Sequence, residues 1–220
     1  MKEKLNQYID NIRTELTEIS DYIFDHPETA FEEVKASNVL TNYLEKNGFS
    51  VERGVGSLNT AFRAVYENGT GGPSIGLLCE YDALSGMGHA CGHHMQGPAI
   101  AGAAVAVKEL YRDKPYKLVI YGTPGEEGKG GKLFMLADGA FKDIDIALMT
   151  HAGPATQTDI KSMASASISW KKRPRRFEPG YRQKRLGCLA AVLPGGRVPE
   201  GTCKRGYTDA LCGFQWGRPL

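Results

Sequence analysis

Three clusters of polar residues in this chain hold side chains that can bind a metal ion or move a proton. The first is Glu80-Tyr81-Asp82, running on to Gly88-His89-Ala90-Cys91-Gly92-His93-His94. The second is Gly125-Glu126-Glu127-Gly128, and the third is His151, just past Ala147-Leu148-Met149-Thr150. Thiolate, imidazole and carboxylate are the ligand types of zinc, and imidazole with carboxylate also suits manganese. Metal-assisted hydrolysis needs one more part, a base for the attacking water. Adjacent glutamates can supply both parts, one carboxylate on the metal while its neighbour takes the proton. Taken singly, each cluster has a plainer reading. A lone histidine after a strand is more often a polar loop residue, and paired glutamates are usually a solvated turn. Three of the chain's five histidines within six residues, beside a cysteine, are harder to read that way.

The elements that must position these groups follow from periodicity. Leu5, Tyr8, Ile9, Ile12, Leu16, Ile19 and Ile23 recur at three- and four-residue spacing and predict a helix over 3–24. His26-Pro27 ends it, because proline disfavours helical geometry in the residue before it. A second helix is expected over 31–47, with Val34, Val39, Leu40, Tyr43 and Leu44 as its stripe and Asn47-Gly48 as its cap. Strands are expected at 60–66 and 74–80, joined by the turn Asn68–Pro73. Ile75–Cys79 is nearly all apolar, which suits a central strand covered on both faces. Then come a small-residue helix at 97–110, a strand at 116–121, a helix at 131–139 and a strand at 145–150. This alternation predicts an α/β domain with a largely parallel sheet. In such sheets ligands bind at the carboxyl ends of strands, and all three clusters fall there.

Composition sets the outer bounds. With 41% hydrophobic and 24% charged residues, the 220-residue chain is not a disordered, collagen-like or coiled-coil sequence. No apolar run reaches the roughly 18 residues that a membrane span needs, and the N-terminus has no apolar signal region. The expected compartment is the cytoplasm, with no membrane partner. Five scattered cysteines do not suggest a disulfide framework. The formal net charge of +2 hides an asymmetry. Residues 170–220 hold 12 of the 27 Lys and Arg against 3 of the 25 acids, a formal +9, while residues 1–169 stand at −7.

Tyr81-Asp-Ala-Leu84, Gly88-His-Ala-Cys-Gly-His93, Gly125-Glu-Glu-Gly128 and Thr150-His-Ala152 together closely resemble the M20 family of metallopeptidases and amidohydrolases. The nearest branch resembles the one with aminobenzoyl-glutamate hydrolases, N-acyl amino acid amidohydrolases and β-alanyl dipeptidases. His26-Pro-Glu28 with Phe31-Glu-Glu33 matches its opening segment, and the resemblance covers roughly residues 5–168. It implies an α/β fold with a zinc-peptidase-like mixed, largely parallel sheet flanked by helices. It implies Cys91, His93, Glu127 and His151 as metal ligands, Glu126 as general base and Asp82 as the carboxylate that orients a ligand. It also implies two divalent ions, Zn or Mn, and hydrolysis of a small amide: an N-acyl amino acid, an aminobenzoyl-glutamate-like amide or a dipeptide. His94 stands where relatives carry Asp or Asn and is expected as an outer contact of the site. His89, His26 and Cys79 are expected to be structural.

The resemblance further implies a homodimer, an oxyanion-holding histidine from a smaller domain, and a last histidine ligand. No histidine follows His151 in these 220 residues. Residues 1–168 are therefore expected to be the N-terminal part of the catalytic domain. Residues 169–220 are expected to be a divergent basic tail in place of most of the dimerisation domain, with the chain truncated. The abrupt change in charge and the loss of periodicity favour an out-of-frame tail over a genuine extension. On this reading the chain itself is weakly active or inactive. The rival from another class is a non-catalytic metal-binding or interaction fragment with a basic, nucleic-acid-binding tail. The tail's aromatics are not spaced as a stacking platform, so nucleic acid is not the expected partner.

Overall fold

A computed structural model describes residues 2–153 and the two-residue strands Ala166–Ser167 and Leu189–Ala190. The remaining expectations for the tail lie outside the described residues. The element order is α1 (Lys2–Asp25), α2 (Val34–Lys46), β1 (Ser50–Arg53), β2 (Phe62–Asn68), β3 (Ser74–Cys79), α3 (His93–Leu110), β4 (Tyr116–Gly122), α4 (Gly131–Ala137) and β5 (Ile146–Met149). The chain divides into two units, Met1–Pro154 and Ala155–Leu220. Within the second, β6 (Ala166–Ser167) pairs antiparallel with β7 (Leu189–Ala190).

The first unit is built on a five-stranded sheet of order β1-β2-β4-β3-β5. β3 pairs parallel with both β4 and β5, and β2 is antiparallel to β1 and β4. Four of the five strands thus run one way, the mixed, largely parallel sheet expected from sequence. Side chains alternate across the sheet with a period of two. On β4, Leu118 and Ile120 join the core formed with α1, α2 and α3, where Ile23, Leu40, Leu44, Ala101, Ala104 and Val105 are buried. Val119 and Tyr121 point to the other face, where they pack with Val55, Leu58, Ala61 and Met135. Full burial of Leu40 or Leu44 contributes about 2 kcal/mol each. The small residues of α3 allow close packing, since Gly102 lies directly under Leu16 of α1.

The boundaries differ from the sequence reading in informative places. α2 starts at Val34, not at 31, because Phe31 adopts φ 72° and breaks the helical path. Its free N–H groups are instead capped from upstream, with the Glu28 carboxylate accepting from Lys35 at 2.8 Å and Ala36 at 3.1 Å. Val34 is consequently exposed and lies outside the buried stripe. β1, Ser-Val-Glu-Arg, is an addition to the expected strands; four residues with one apolar side chain carry no strand signal. α3 begins at His93, four residues before the predicted start, so His93 is fixed by a helix rather than a loop. β5 is exposed along its whole length, and among the described residues no strand pairs with its outer side. None of the described helices is long and apolar enough to cross a membrane.

Candidate metal centre

The site is assembled around Asp82, just beyond the carboxyl end of β3 and fully buried. Its Oδ1 lies 3.1 Å from His93 Nδ1, and its backbone carbonyl is equally close. Its Oδ2 accepts the Glu127 backbone N–H at 2.9 Å. One carboxylate therefore fixes both an imidazole and the Gly125–Gly128 loop. An acceptor at Nδ1 makes that nitrogen the donor and leaves Nε2 as the lone pair aimed at a ligand. Burial raises the Asp82 carboxyl, but the His93 ring and the Glu127 N–H outweigh it and hold the group below its usual range. Burial opposes charge on His93, yet Asp82 outweighs it and lifts the imidazole above its ordinary value.

The Gly125–Gly128 loop is held from two sides. Thr123 anchors the end of β4 to β3 through its N–H on the Cys79 carbonyl at 2.8 Å. Glu33, buried beneath the loop, accepts the Gly125 N–H at 2.9 Å and the Thr60 hydroxyl at 3.1 Å. Gly125 takes φ 66°, and a Cβ there would come within 2.7 Å of the Phe31 ring. The loop thus needs glycine at this point for both conformation and space. Burial pushes the Glu33 carboxyl above its usual range despite these bonds.

Two donor groups result. Donor atoms of Cys91, His93 and Glu127 lie within 4.8 Å of one another, as do those of Glu80, His93 and His151. Cys91 is half-buried, His93 is buried, and Glu127 and His151 are exposed. Burial and then the Glu127 carboxylate push the Cys91 thiol up to about 11, against the pull of the His93 backbone. A thiol and a carboxylate turned toward one another in this way fit a divalent cation, which deprotonates the thiol as it binds. Burial, then the negative charge of Glu80, holds the Glu126 carboxyl above its ordinary range, while Lys132 draws it down. A glutamate tuned upward suits a group that must hold a proton between two steps.

The structure thus gathers Cys91, His93, Glu127 and His151 around one point, with Asp82 behind His93 and Glu126 next to Glu127 in the chain. His94, expected beside the donors, instead stands against α1, 4.9 Å from the Phe24 ring, because neighbouring helix residues point about 100° apart. His89 is buried 5.5 Å from His94. Cys79 is fully buried in the core, and His26 bonds the Tyr22 carbonyl at 2.8 Å at the end of α1. Three residues escape the sequence reading: Glu80, Gln96 and Glu33. Signals exist for two of them. Glu80 lies two residues before Asp82 and so shares its face on an extended segment, and Gln96 lies three after His93 on one helix face.

The family model described as peptidase family M20/M25/M40 matches residues 76–209. The chain belongs to this family. Among curated M20 relatives, a p-aminobenzoyl-glutamate hydrolase subunit of Escherichia coli K12 is 38% identical over 193 residues, covering 77% of this chain and 40% of the relative. The human Xaa-Arg dipeptidase is 35% identical over 187 residues, covering 78% of this chain and 43% of the relative. The chain therefore spans about two fifths of the length of these relatives. Solved M20 structures share the fold. The Bacillus subtilis protein YxeP, described as a dinuclear metal-binding peptidase, superposes with TM-score 0.61 at 24% identity over 66% of this chain and 44% of its own. An aminobenzoyl-glutamate utilization protein from Klebsiella pneumoniae gives TM-score 0.58 at 18% identity over 68% of this chain and 46% of its own.

Proposed function

We propose that residues 1–168 supply the N-terminal part of the metal-binding catalytic domain of an M20-type amidohydrolase, with residues 169–220 a separate basic segment. The substrate class is a small amide: an N-acyl amino acid, an aminobenzoyl-glutamate-like amide or a dipeptide. The observation that carries this reading is the convergence of Cys91, His93 and Glu127 donor atoms within 4.8 Å, with Asp82 holding two of the three residues. The relatives named for aminobenzoyl-glutamate and Xaa-Arg hydrolysis support the substrate class.

In this reading Cys91, His93, Glu127 and His151 hold divalent ions, Zn or Mn by donor type. A bound ion supplies Lewis acidity, polarising the amide carbonyl and bringing the pKa of water to about 7. Glu126 takes the proton from the attacking water and returns it to the leaving amine. Asp82 keeps the His93 ring in one tautomer and, through the Glu127 N–H, keeps the two glutamates in register. Glu33 fixes the start of the same loop from below.

Two measurements test this. Metal analysis of the full chain after incubation with Zn²⁺ or Mn²⁺ is expected to show bound ion that Cys91→Ser largely removes. Hydrolysis of p-aminobenzoyl-glutamate, N-acetyl amino acids and Xaa-Arg dipeptides is expected to be weak in this chain. Glu126→Gln is expected to lower whatever turnover is measured by about 10²- to 10⁴-fold. Hydrolysis that survives Glu126→Gln, or ion binding indifferent to Cys91, sinks the reading.

A further inference from the structure

We propose that Glu80 is a further metal-ligating residue of this centre, sharing one ion with His93 and His151, and that the Lys132 ammonium competes with that ion for its carboxylate. The inference rests on the functional reading above and adds a residue to it.

Neighbouring acceptors fix the protons on both imidazoles. His93 Nδ1 faces two oxygens of Asp82, each at 3.1 Å, so it donates. His151 Nδ1 faces the Ala152 carbonyl at 2.8 Å, so it donates as well. In a neutral imidazole the other nitrogen then carries a bare lone pair. The two Nε2 atoms face each other at 3.2 Å, and Glu80 Oε2 lies 3.3 Å from that of His93. Three electron-pair donors converge with no hydrogen among them, and only a cation relieves their repulsion. The convergence is built into the fold. Gln96 accepts the Glu80 backbone N–H at 2.8 Å, donates to Glu80 Oε2 at 3.1 Å and donates to the Thr150 carbonyl. One buried side chain thereby ties the end of β3, which carries Glu80, to the end of β5, which carries His151.

Glu80 itself is 1% exposed, and a buried carboxylate requires a positive partner. Lys132 supplies one, its Nζ bonded to Oε1. The Lys132 side chain is 27% exposed and sits on a flexible four-carbon stem, so it can leave toward solvent. Oε2 points the other way, to His93, and keeps a lone pair after the Gln96 bond. Lysine and ion therefore hold Glu80 from opposite oxygens, and each weakens the charge available to the other.

The test titrates the full chain with Co²⁺ alone, reading affinity by calorimetry and thiolate-to-cobalt charge transfer by absorption. Glu80→Gln is expected to weaken Co²⁺ binding about 10-fold or more with the charge-transfer band retained, since Cys91 is untouched. Lys132→Met is expected to tighten binding several-fold, because the competing cation is gone. Parent-like affinity in Glu80→Gln overturns the proposal. Should Glu80→Gln lose its far-UV circular dichroism, Lys132→Met decides alone, and unchanged or weaker affinity there overturns it. Failure of the underlying reading has a different signature: no charge-transfer band in the parent, with Cys91→Ser indistinguishable from it. That result overturns both.

Discussion

Among single residues, Asp82 connects most of the site. It orients His93, holds Glu127 through the backbone, and is fully buried between them. Asp82→Asn keeps the shape but turns one acceptor into a donor, which must then face either a ring N–H or a backbone N–H. Zn²⁺ affinity measured by competition with a chelator is expected to fall about 10- to 100-fold. Asp82 is legible in the sequence through the Tyr81-Asp-Ala-Leu84 motif, as is Cys91 through its spacing from His93. Glu80 is not. A glutamate at the end of an apolar strand reads as a solvated terminus until burial and the Lys132 pair are seen.

Among the elements, short connections do the positioning. α3 begins on His93 because Gly92, at φ 91°, turns the chain into the helix immediately after Cys91. The Gly125 turn does the same for the glutamate pair. Gly125→Ala meets both a left-handed backbone and the Phe31 ring at 2.7 Å. It is expected to cost about 1–3 kcal/mol in urea unfolding. Donor affinity should fall with it, because the loop carries Glu127. Periodicity locates α1, α2 and the three parallel strands, since each buries a regular stripe or an apolar run. It misplaces the starts of α2 and α3. The Glu28 cap and the Gly92 turn are set by contacts seven or more residues away or by a single backbone angle.

Across the molecule, the sheet is unequally covered. α1, α2 and α3 bury one face, whereas Ile146, Leu148 and Met149 on β5 and Leu133, Phe134 and Leu136 on α4 remain 47–70% exposed. An uncovered apolar edge strand templates pairing with another chain. The purified chain is expected to gain mass with concentration in light scattering. Leu148→Lys, on that edge, is expected to suppress the gain without lowering the unfolding midpoint.

Fold class and donor types are readable from the linear chain, because hydrophobic period and residue chemistry are local properties. So is the placement of Cys91, His93, Glu126, Glu127 and His151 near strand ends, where an α/β sheet collects ligands. Which donors share a point emerges only once the chain is folded. Glu80 joins His93 and His151, and His94 turns away to Phe24. Gln96 and Glu33 become the ties beneath the site. These outcomes depend on strand order and helix rotation, which bring together residues 16 to 92 positions apart and which no local pattern encodes.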